Sequence, residues 1–344
     1  MKYRLYKTSW KAWDAMLEAI DQAKKSIYIE MYIFLDDTSG SHDFIGKLKQ
    51  KAREGVQIII VADAFGSSDL KKESVKALHE AGVEFIFFSH WLRHIHRKIL
   101  IVDERLAFLG GVNIGKSFSQ WKDLQLRLHG RVVKRIIKSF AYTYAMAGGK
   151  DKRILKYREK LFSAKFRFWL VEYSPFRNIH SLKDQYRQKI YQAKKSICIV
   201  TPYFAPPRWL IALLDNAVKK NIKVEIIIPK KTDLPFVDRI NHRYMYNLSP
   251  TGINFFLTPV MNHAKIMLID EEIGLVGSQN IDYLSFNLNA EAGIFFEEND
   301  LITELRKTVD EWKSEAELFR PQKYKMKAID YLILAVIKLF RPIL

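Results

Sequence analysis

Two rhythms of apolar and polar positions alternate along this chain. Residues 9–24 carry apolar positions at helical spacing, and 26–34 follow as a short run dense in β-branched and aromatic residues. The alternation continues with helix 41–54 before strand 56–62, and helix 70–81 before strand 83–88. The second half begins again with helix 181–194, strand 196–201, helix 207–220, strand 222–228 and strand 253–257. Short β-rich runs separated by helices of about 12 residues predict βαβ units, hence an α/β fold with helices on both faces of each sheet.

The halves are also related residue by residue. Ala23-Lys24-Lys25-Ser26-Ile27-Tyr28-Ile29 returns 170 positions later as Ala193-Lys194-Lys195-Ser196-Ile197-Cys198-Ile199. Ala81-Gly82-Val83-Glu84-Phe85 is echoed by Thr251-Gly252-Ile253-Asn254-Phe255. A period this long indicates two similar domains rather than a solenoid. The expected organisation is 1–150, 151–320 and a C-terminal segment 321–344, with the first boundary after helix 131–147, near Gly148-Gly149. At 344 residues, each half is long enough to bury its own core.

Charge narrows the partners. Fifty-six Lys and Arg against 38 Asp and Glu leave a net +18, which favours a polyanion: nucleic acid or an anionic lipid surface. Residues 131–167 hold twelve of the bases and only Asp151 and Glu159 as acids. One cysteine, Cys198, excludes an intrachain disulfide and a thiolate metal cluster, and its apolar setting makes it a core residue. No apolar stretch follows Met1–Lys7, and no run of 18 apolar residues occurs, so neither a signal peptide nor a conventional membrane span is expected.

The same pattern closes each half. His96-Arg97-Lys98 leads through four aliphatic residues to Asp103, then six residues on to Gly110-Gly111-Val112-Asn113. His263-Ala264-Lys265 leads likewise to Asp270, then to Gly277-Ser278-Gln279-Asn280, each residue 167 positions after its counterpart. Two residues apart on a β-run, His and Lys share a face. Asp103 has the opposite parity, so Asp103 and Asp270 read as structural. A turn at 103–105 and a returning strand 106–109 bring Asn113 back beside His96 and Lys98. Gly110, Gly111, Gly277 and Ser278 are expected to line the phosphate site, the glycines leaving room for close approach. Each half thus offers an imidazole, an ammonium and an amide; Lys and Asn donate to phosphate oxygens, and His attacks or transfers protons.

The duplicated pattern resembles the signature of the phospholipase D superfamily, and the resemblance covers nearly the whole chain. Within that superfamily it is similar to the bacterial cardiolipin synthases. Glu30-Met31-Tyr32-Ile33-Phe34-Leu35-Asp36-Asp37 resembles their first-strand motif and Thr201-Pro202-Tyr203-Phe204-Ala205-Pro206 their TPYF-x-P segment. Two departures stand out. The paired N-terminal membrane helices typical of these enzymes have no counterpart in the sequence, and Ile95, next to His94, replaces the Asn that usually precedes the first histidine. His94 reads as a rim residue. The resemblance implies two phospholipase D-like α/β/α sandwich domains with one active site at their interface, and phosphodiester exchange through a covalent phosphohistidine. One histidine attacks phosphorus while the other protonates the leaving alcohol and deprotonates the incoming one. Lys98, Lys265, Asn113 and Asn280 would hold the non-bridging oxygens, with no metal and no cofactor. The family places an acid downstream of each motif to orient the imidazole; Asp123, 27 residues after His96, and Glu291, 28 after His263, fit that role. The halves do not themselves distinguish the nucleophile; resemblance to two-motif members favours His96, with His263 as acid.

The substrate has to come from elsewhere in the sequence. Residues 328–340 are apolar except Asp330 and Lys338, and are flanked by Arg320, Lys323, Lys325, Lys327 and Arg341. A helix of that length spans about 20 Å, short of the ~30 Å hydrocarbon core, so an interfacial position is expected. Three readings follow, in order: a phosphatidyltransferase making cardiolipin from phosphatidylglycerol at the cytoplasmic face of the membrane, a phospholipase D-type hydrolase or headgroup-exchange enzyme, and a metal-independent nuclease or nucleic-acid-binding member. The first expects lipid substrates and an anionic membrane surface as partners and no nucleic acid.

Overall fold

The computed structural model describes residues 3–160 and 168–323. The first half supplies β1 (Tyr3–Thr8), α1 (Ser9–Asp21), β2 (Ser26–Met31), α2 (Phe44–Arg53), β3 (Gln57–Asp63), α3 (Lys72–Glu80), β4 (Glu84–Phe88), β5 (Lys98–Val102), β6 (Leu106–Gly110) and β7 (Lys122–His129). Two helices follow, α4 (Arg131–Met146) and α5 (Lys152–Leu155). The second half supplies β8 (Phe168–Tyr173), α6 (Ser181–Gln192), β9 (Ser196–Val200), α7 (Arg208–Lys219), β10 (Lys223–Pro229), α8 (Pro235–Leu248), β11 (Asn254–Thr258), β12 (Ile266–Ile269) and β13 (Ile273–Gly277). It ends with α9 (Tyr283–Asn287), β14 (Glu291–Phe296), α10 (Asn299–Ser314) and the two-residue β15 (Glu317–Leu318).

The strands form two mixed sheets, ordered β1-β7-β6-β5-β2-β3-β4 and β15-β11-β10-β9-β12-β13-β14-β8. Only β2-β3-β4 and β9-β10-β11 run parallel, the pieces joined by crossover helices; the remaining pairs are antiparallel. The expected α/β class is therefore present, with more antiparallel pairing than a pure βαβ reading implies. The chain reading also passed over β1, β7, β8, β14, α8 and α10. The strand expected over 26–34 ends at Met31, and the residues beyond it turn toward the site.

Local chemistry explains the central elements. All six residues of β2 are buried, as its neighbours β3 and β5 require of a middle strand. Thr8 caps α1 by accepting from the Lys11 N–H at 3.3 Å, and α1 then buries Ala12, Trp13, Met16 and Ile20. Each half also has its own apolar layer: α1 and α2 pack on one face of the first sheet, and α6 and α7 on one face of the second. A third cluster belongs to both. Leu126, Ile136 and Phe140 from the first half join Ile266, Ile294 and Leu305 from the second, with α4 and α10 between the sheets. Besides the core that each half buries for itself, the facing sides of the two sheets share this one.

Each β5–β6 and β12–β13 hairpin turns through two residues at positive φ, Asp103 and Glu104 (50° and 55°) and Asp270 and Glu271 (53° and 58°). These values fit a type I′ turn, usually left to Asn and Gly. Asp accepts the cost because its carboxylate is used: Asp103 Oδ1 receives the Lys25 and Ser26 N–H at 2.7 and 3.0 Å, and Asp270 Oδ1 receives those of Lys195 and Ser196 at 2.7 and 2.9 Å. The motif aspartates thus pin each hairpin to the start of the neighbouring strand. The C-terminal segment singled out in the sequence, from residue 324 on, and residues 161–167 of the basic stretch lie outside the described residues.

Candidate functional site

Two backbone bridges bring the halves together. Ile95 pairs in parallel with Ala290, and Lys122 pairs in parallel with Asn262. The His96 N–H donates to the Ala290 carbonyl at 2.9 Å, and the His263 N–H donates to the Lys122 carbonyl at 2.7 Å. The next residue on each paired segment completes the contact. Glu291 follows Ala290 and meets His96, its Oε1 2.9 Å from Nδ1; Asp123 follows Lys122 and meets His263, its Oδ2 2.7 Å from Nδ1. Each acid therefore serves the histidine of the other half, a crossing that the near-equal downstream offsets concealed. Because a carboxylate only accepts, Nδ1 of each ring carries the proton and Nε2 is the nitrogen left for a ligand.

The ammonium groups lie beneath. Lys98 Nζ donates to the His96 carbonyl at 2.7 Å, and Lys265 Nζ donates to that of His263. All four His and Lys side chains are buried, as are Asn113 and Asn280, whose Oδ1 atoms have no partner. The expected lining residues behave differently. A Cβ on Gly110 would lie 2.2 Å from the Leu124 carbonyl oxygen, and one on Gly111 would lie 2.2 Å from Asp123 Oδ1. On Gly277 it would meet the Ala292 carbonyl oxygen at 2.8 Å. The room left by these glycines is filled by the neighbouring strands and, at Gly111, by the acid. Ser278 donates its hydroxyl to Glu291 rather than to a ligand. Of the four residues expected to line a phosphate site, Gly111 and Ser278 back the two acids and Gly110 and Gly277 face the adjoining strands; none is among the residues lining the cavity onto which the histidines open.

His96, His263, Asn113 and Asn280 open on one cavity of about 560 Å³. Its other walls are mostly apolar: Tyr32 and Phe118 from the first half, Tyr203, Phe204 and Pro206 after β9, and Phe236, Val237, Ile240 and Tyr244 along α8. Asp233 stands at its edge, its Oδ1 accepting the Tyr203 hydroxyl at 2.6 Å. Among the described residues, no group of three or more His, Cys, Asp or Glu converges as a metal site requires.

A family profile described as "Cardiolipin synthase, PLD-like domain" matches the chain twice, over residues 16–143 and 186–312. The chain belongs to the phospholipase D-like family. Curated relatives include a cardiolipin synthase of Oceanobacillus iheyensis, 33% identical over 86% of this chain and 65% of its own length. Another, from Listeria welshimeri, is 31% identical over 85% of this chain and 64% of its own. The chain thus spans just under two thirds of these relatives. Among solved structures, the phosphatidylserine synthase of Haemophilus influenzae superposes at a TM-score of 0.77 over 99% of this chain and 93% of its own, at 15% identity. A Porphyromonas gingivalis polyphosphate kinase superposes at 0.64 over 99% of this chain and 53% of its own, at 12% identity. These two likenesses establish the shared fold.

Burial sets the electrostatics of this phospholipase D-like site. It holds His263 at about 3, with Lys265 adding to the effect and Asp123 opposing it. Burial also lowers His96, against the pull of Glu291. Both imidazoles are therefore neutral at neutral pH in the unliganded protein. Lys98 is held well below the usual amine range by burial, and Lys265 is brought down to about 8 by the same cause. Burial raises Asp123 and Glu291, but His263 with Lys265 and the Leu124 N–H around the first, and His96 with Lys98 and Ser278 around the second, together more than offset it, so both acids remain ionised.

Several residues that support the site were not singled out in the sequence. Arg97, between His96 and Lys98, faces away from the cavity. Its Nη1 donates to Ser139 Oγ at 2.7 Å, and its Nη2 lies 3.2 Å from Glu172 Oε1. This buried pairing ties the motif strand to α4 and β8. Glu30, 3.7 Å from Arg97, is pushed up to about 7 by burial. Asp63 receives the Ile95 N–H at 2.9 Å and contacts His94 Nδ1 at 3.2 Å, fixing the approach to His96. The sequence signal for Arg97 was its odd parity within the first motif, where the second has Ala264.

Proposed function

We propose that this protein is a phosphatidyltransferase that makes cardiolipin from phosphatidylglycerol. The observation that carries the reading is one apolar cavity onto which two histidines open, each backed through Nδ1 by an acid from the opposite half. Cardiolipin synthase relatives at 31–33% identity support the same chemistry.

In this mechanism His96 Nε2 attacks the phosphorus of phosphatidylglycerol. The bond from phosphorus to the glycerol headgroup oxygen breaks, and His263, protonated in the substrate complex, gives that oxygen its proton. The bound phosphodiester anion favours the imidazolium that this step needs. A phosphatidyl group then sits on His96, and glycerol leaves. A hydroxyl of a second phosphatidylglycerol loses its proton to His263 and attacks the phosphorus. The phosphorus–nitrogen bond breaks, releasing cardiolipin and restoring both histidines. Lys98, Lys265, Asn113 and Asn280 stabilise the charge on the non-bridging oxygens as the pentavalent state forms. Glu291 and Asp123 hold the tautomers and stabilise each imidazolium. Asp103 and Asp270 maintain the hairpins, and the residues 1–150 and 151–320 act as two halves of one catalytic unit.

The working place we infer is the cytoplasmic face of the membrane, with peripheral attachment through the apolar, base-flanked 328–344 and the basic stretch 131–167. Support comes from the net +18 and from the concentration of bases in 131–167. The test is to incubate the purified protein with phosphatidylglycerol vesicles and resolve the products. Cardiolipin and glycerol in equal amounts are expected, with both absent for His96→Ala and His263→Ala. Phosphatidic acid as the main product would assign hydrolysis instead.

A further inference from the structure

The apolar wall of the cavity does not stop at its mouth. Phe236, Val237, Ile240 and Tyr244 lie on one face of α8 and line the cavity that His263 also lines. Leu234, which precedes this helix, and Phe236 in its first turn are 47% and 55% exposed; Leu284, at the start of α9 on the cavity's edge, is 43% exposed. Scattered exposed apolar residues need no explanation. These three are not scattered, since all line the same opening and continue into an apolar channel that ends at a phosphate-type site. Lys231 lies exposed just ahead in the chain, a base placed to meet an anionic interface, while its neighbour Lys230 pairs with Glu317.

We infer that these two lips, 234–237 and Leu284, insert into the surface of an anionic phospholipid bilayer and deliver lipid from it to the histidines. This deepens the proposed function by assigning the mouth a membrane contact separate from 328–344. A lipid need not then leave the bilayer completely: its acyl part follows α8 while its phosphate reaches His96 and His263. The inserted side chains lose apolar exposure as they enter, which favours the docked state.

Insertion can be read without turnover. In full-length protein with Cys198→Ala, a cysteine at 236 is labelled with an environment-sensitive fluorophore, and a parallel sample carries the label at 191. Tyr191 is also exposed, at 65%, but lies in the last turn of α6 ahead of the N-terminal end of β9, whereas the cavity opens beyond the other end of that strand. With phosphatidylglycerol vesicles, the probe at 236 is expected to shift to the blue and to be quenched by brominated acyl chains, and the probe at 191 to do neither. In otherwise native protein, Leu234→Ser with Phe236→Ser should weaken vesicle binding at least tenfold. A probe at 236 that ignores vesicles overturns the inference. So does one already blue-shifted without lipid, which would mean that residues 324–344 or a second copy of the chain occupy the mouth. Cardiolipin formation without insertion would refute only the lip assignment, and insertion without cardiolipin formation would refute only the proposed reaction.

Discussion

The same stretch of backbone is held in both halves by different means. In the first half the Phe34 N–H donates to Ser67 Oγ at 3.0 Å, and that hydroxyl donates to the Tyr32 carbonyl at 3.0 Å. In the second half the Phe204 N–H donates to Asn241 Oδ1, and Asn241 Nδ2 donates to the Pro202 carbonyl, both at 2.8 Å. Phe34 and Phe204 are 170 apart and occupy equivalent places in the repeat. Ser67 comes from the loop after β3, but Asn241 comes from the middle of a helix. That choice brings α8 over the site. Its counterpart α3 is a shorter surface helix that buries only Leu78. Pseudo-symmetry is thus kept around the two histidines and abandoned along the cavity wall that α8 supplies.

The acids show a second contrast. Asp123 is backed by Gly111, and the longer Glu291 by Ser278, which adds a hydroxyl donor. The largest effects are expected here. Asp123→Asn and Glu291→Gln should each lower kcat by roughly 10²–10⁴-fold with the fold intact, by favouring the wrong tautomer. In proton spectra at low field, Glu291→Gln should remove the Nδ1–H signal of His96 and leave that of His263. The reverse assignment would break the crossed pairing.

Smaller changes test the backing. A methyl at Gly111 collides with Asp123, so Gly111→Ala should lower kcat roughly 10²-fold through misplacement. Ser278→Ala removes a donor to the Glu291 carboxylate and an acceptor of the Ala292 N–H, and should cost roughly tenfold. Equal losses would mean that the two shells are interchangeable.

The clamps come next. Asn241→Ala leaves a buried N–H and C=O unpaired and should destabilise by about 2–4 kcal/mol in chemical denaturation. It should also raise KM for lipid, because α8 loses its anchor. Ser67→Ala should cost about 1–3 kcal/mol and raise KM less than Asn241→Ala, because it loosens the Tyr32 side of the cavity and leaves the α8 wall in place.

The mildest test is pH. Lys265 is charged below about 8 and neutral above it in the free protein. kcat/KM should therefore fall as pH rises through that value, and Lys265→Arg should move the fall to higher pH.

How much of this could be read from the chain depends on how local each feature is. His96, Lys98 and Asn113 are brought together by one hairpin, so spacing alone reveals them. The acid pairing is set by bridges between segments 195 and 140 residues apart, which no local period encodes. Helix α8 did carry a signal. Phe236, Val237, Ile240, Tyr244, Met245 and Leu248 have helical spacing behind a proline in the first turn, but Asp238, Arg239, His242 and Arg243 between them dilute the apolar pattern. The contacts of Gly110 and Gly111 could not be read from spacing, because a glycine's vacant space is equally useful to a ligand and to a neighbouring strand.

The central claim is that the two histidines, alike in sequence and in surroundings, perform different steps on one phosphorus. The most direct measurement is rapid quenching with short-chain phosphatidylglycerol, followed by peptide mass mapping of the covalent phosphatidyl adduct. The account expects the adduct on the peptide containing His96 in the native protein, its accumulation in His263→Ala, and no adduct in His96→Ala. An adduct on His263 in the native protein, or in His96→Ala, would contradict it.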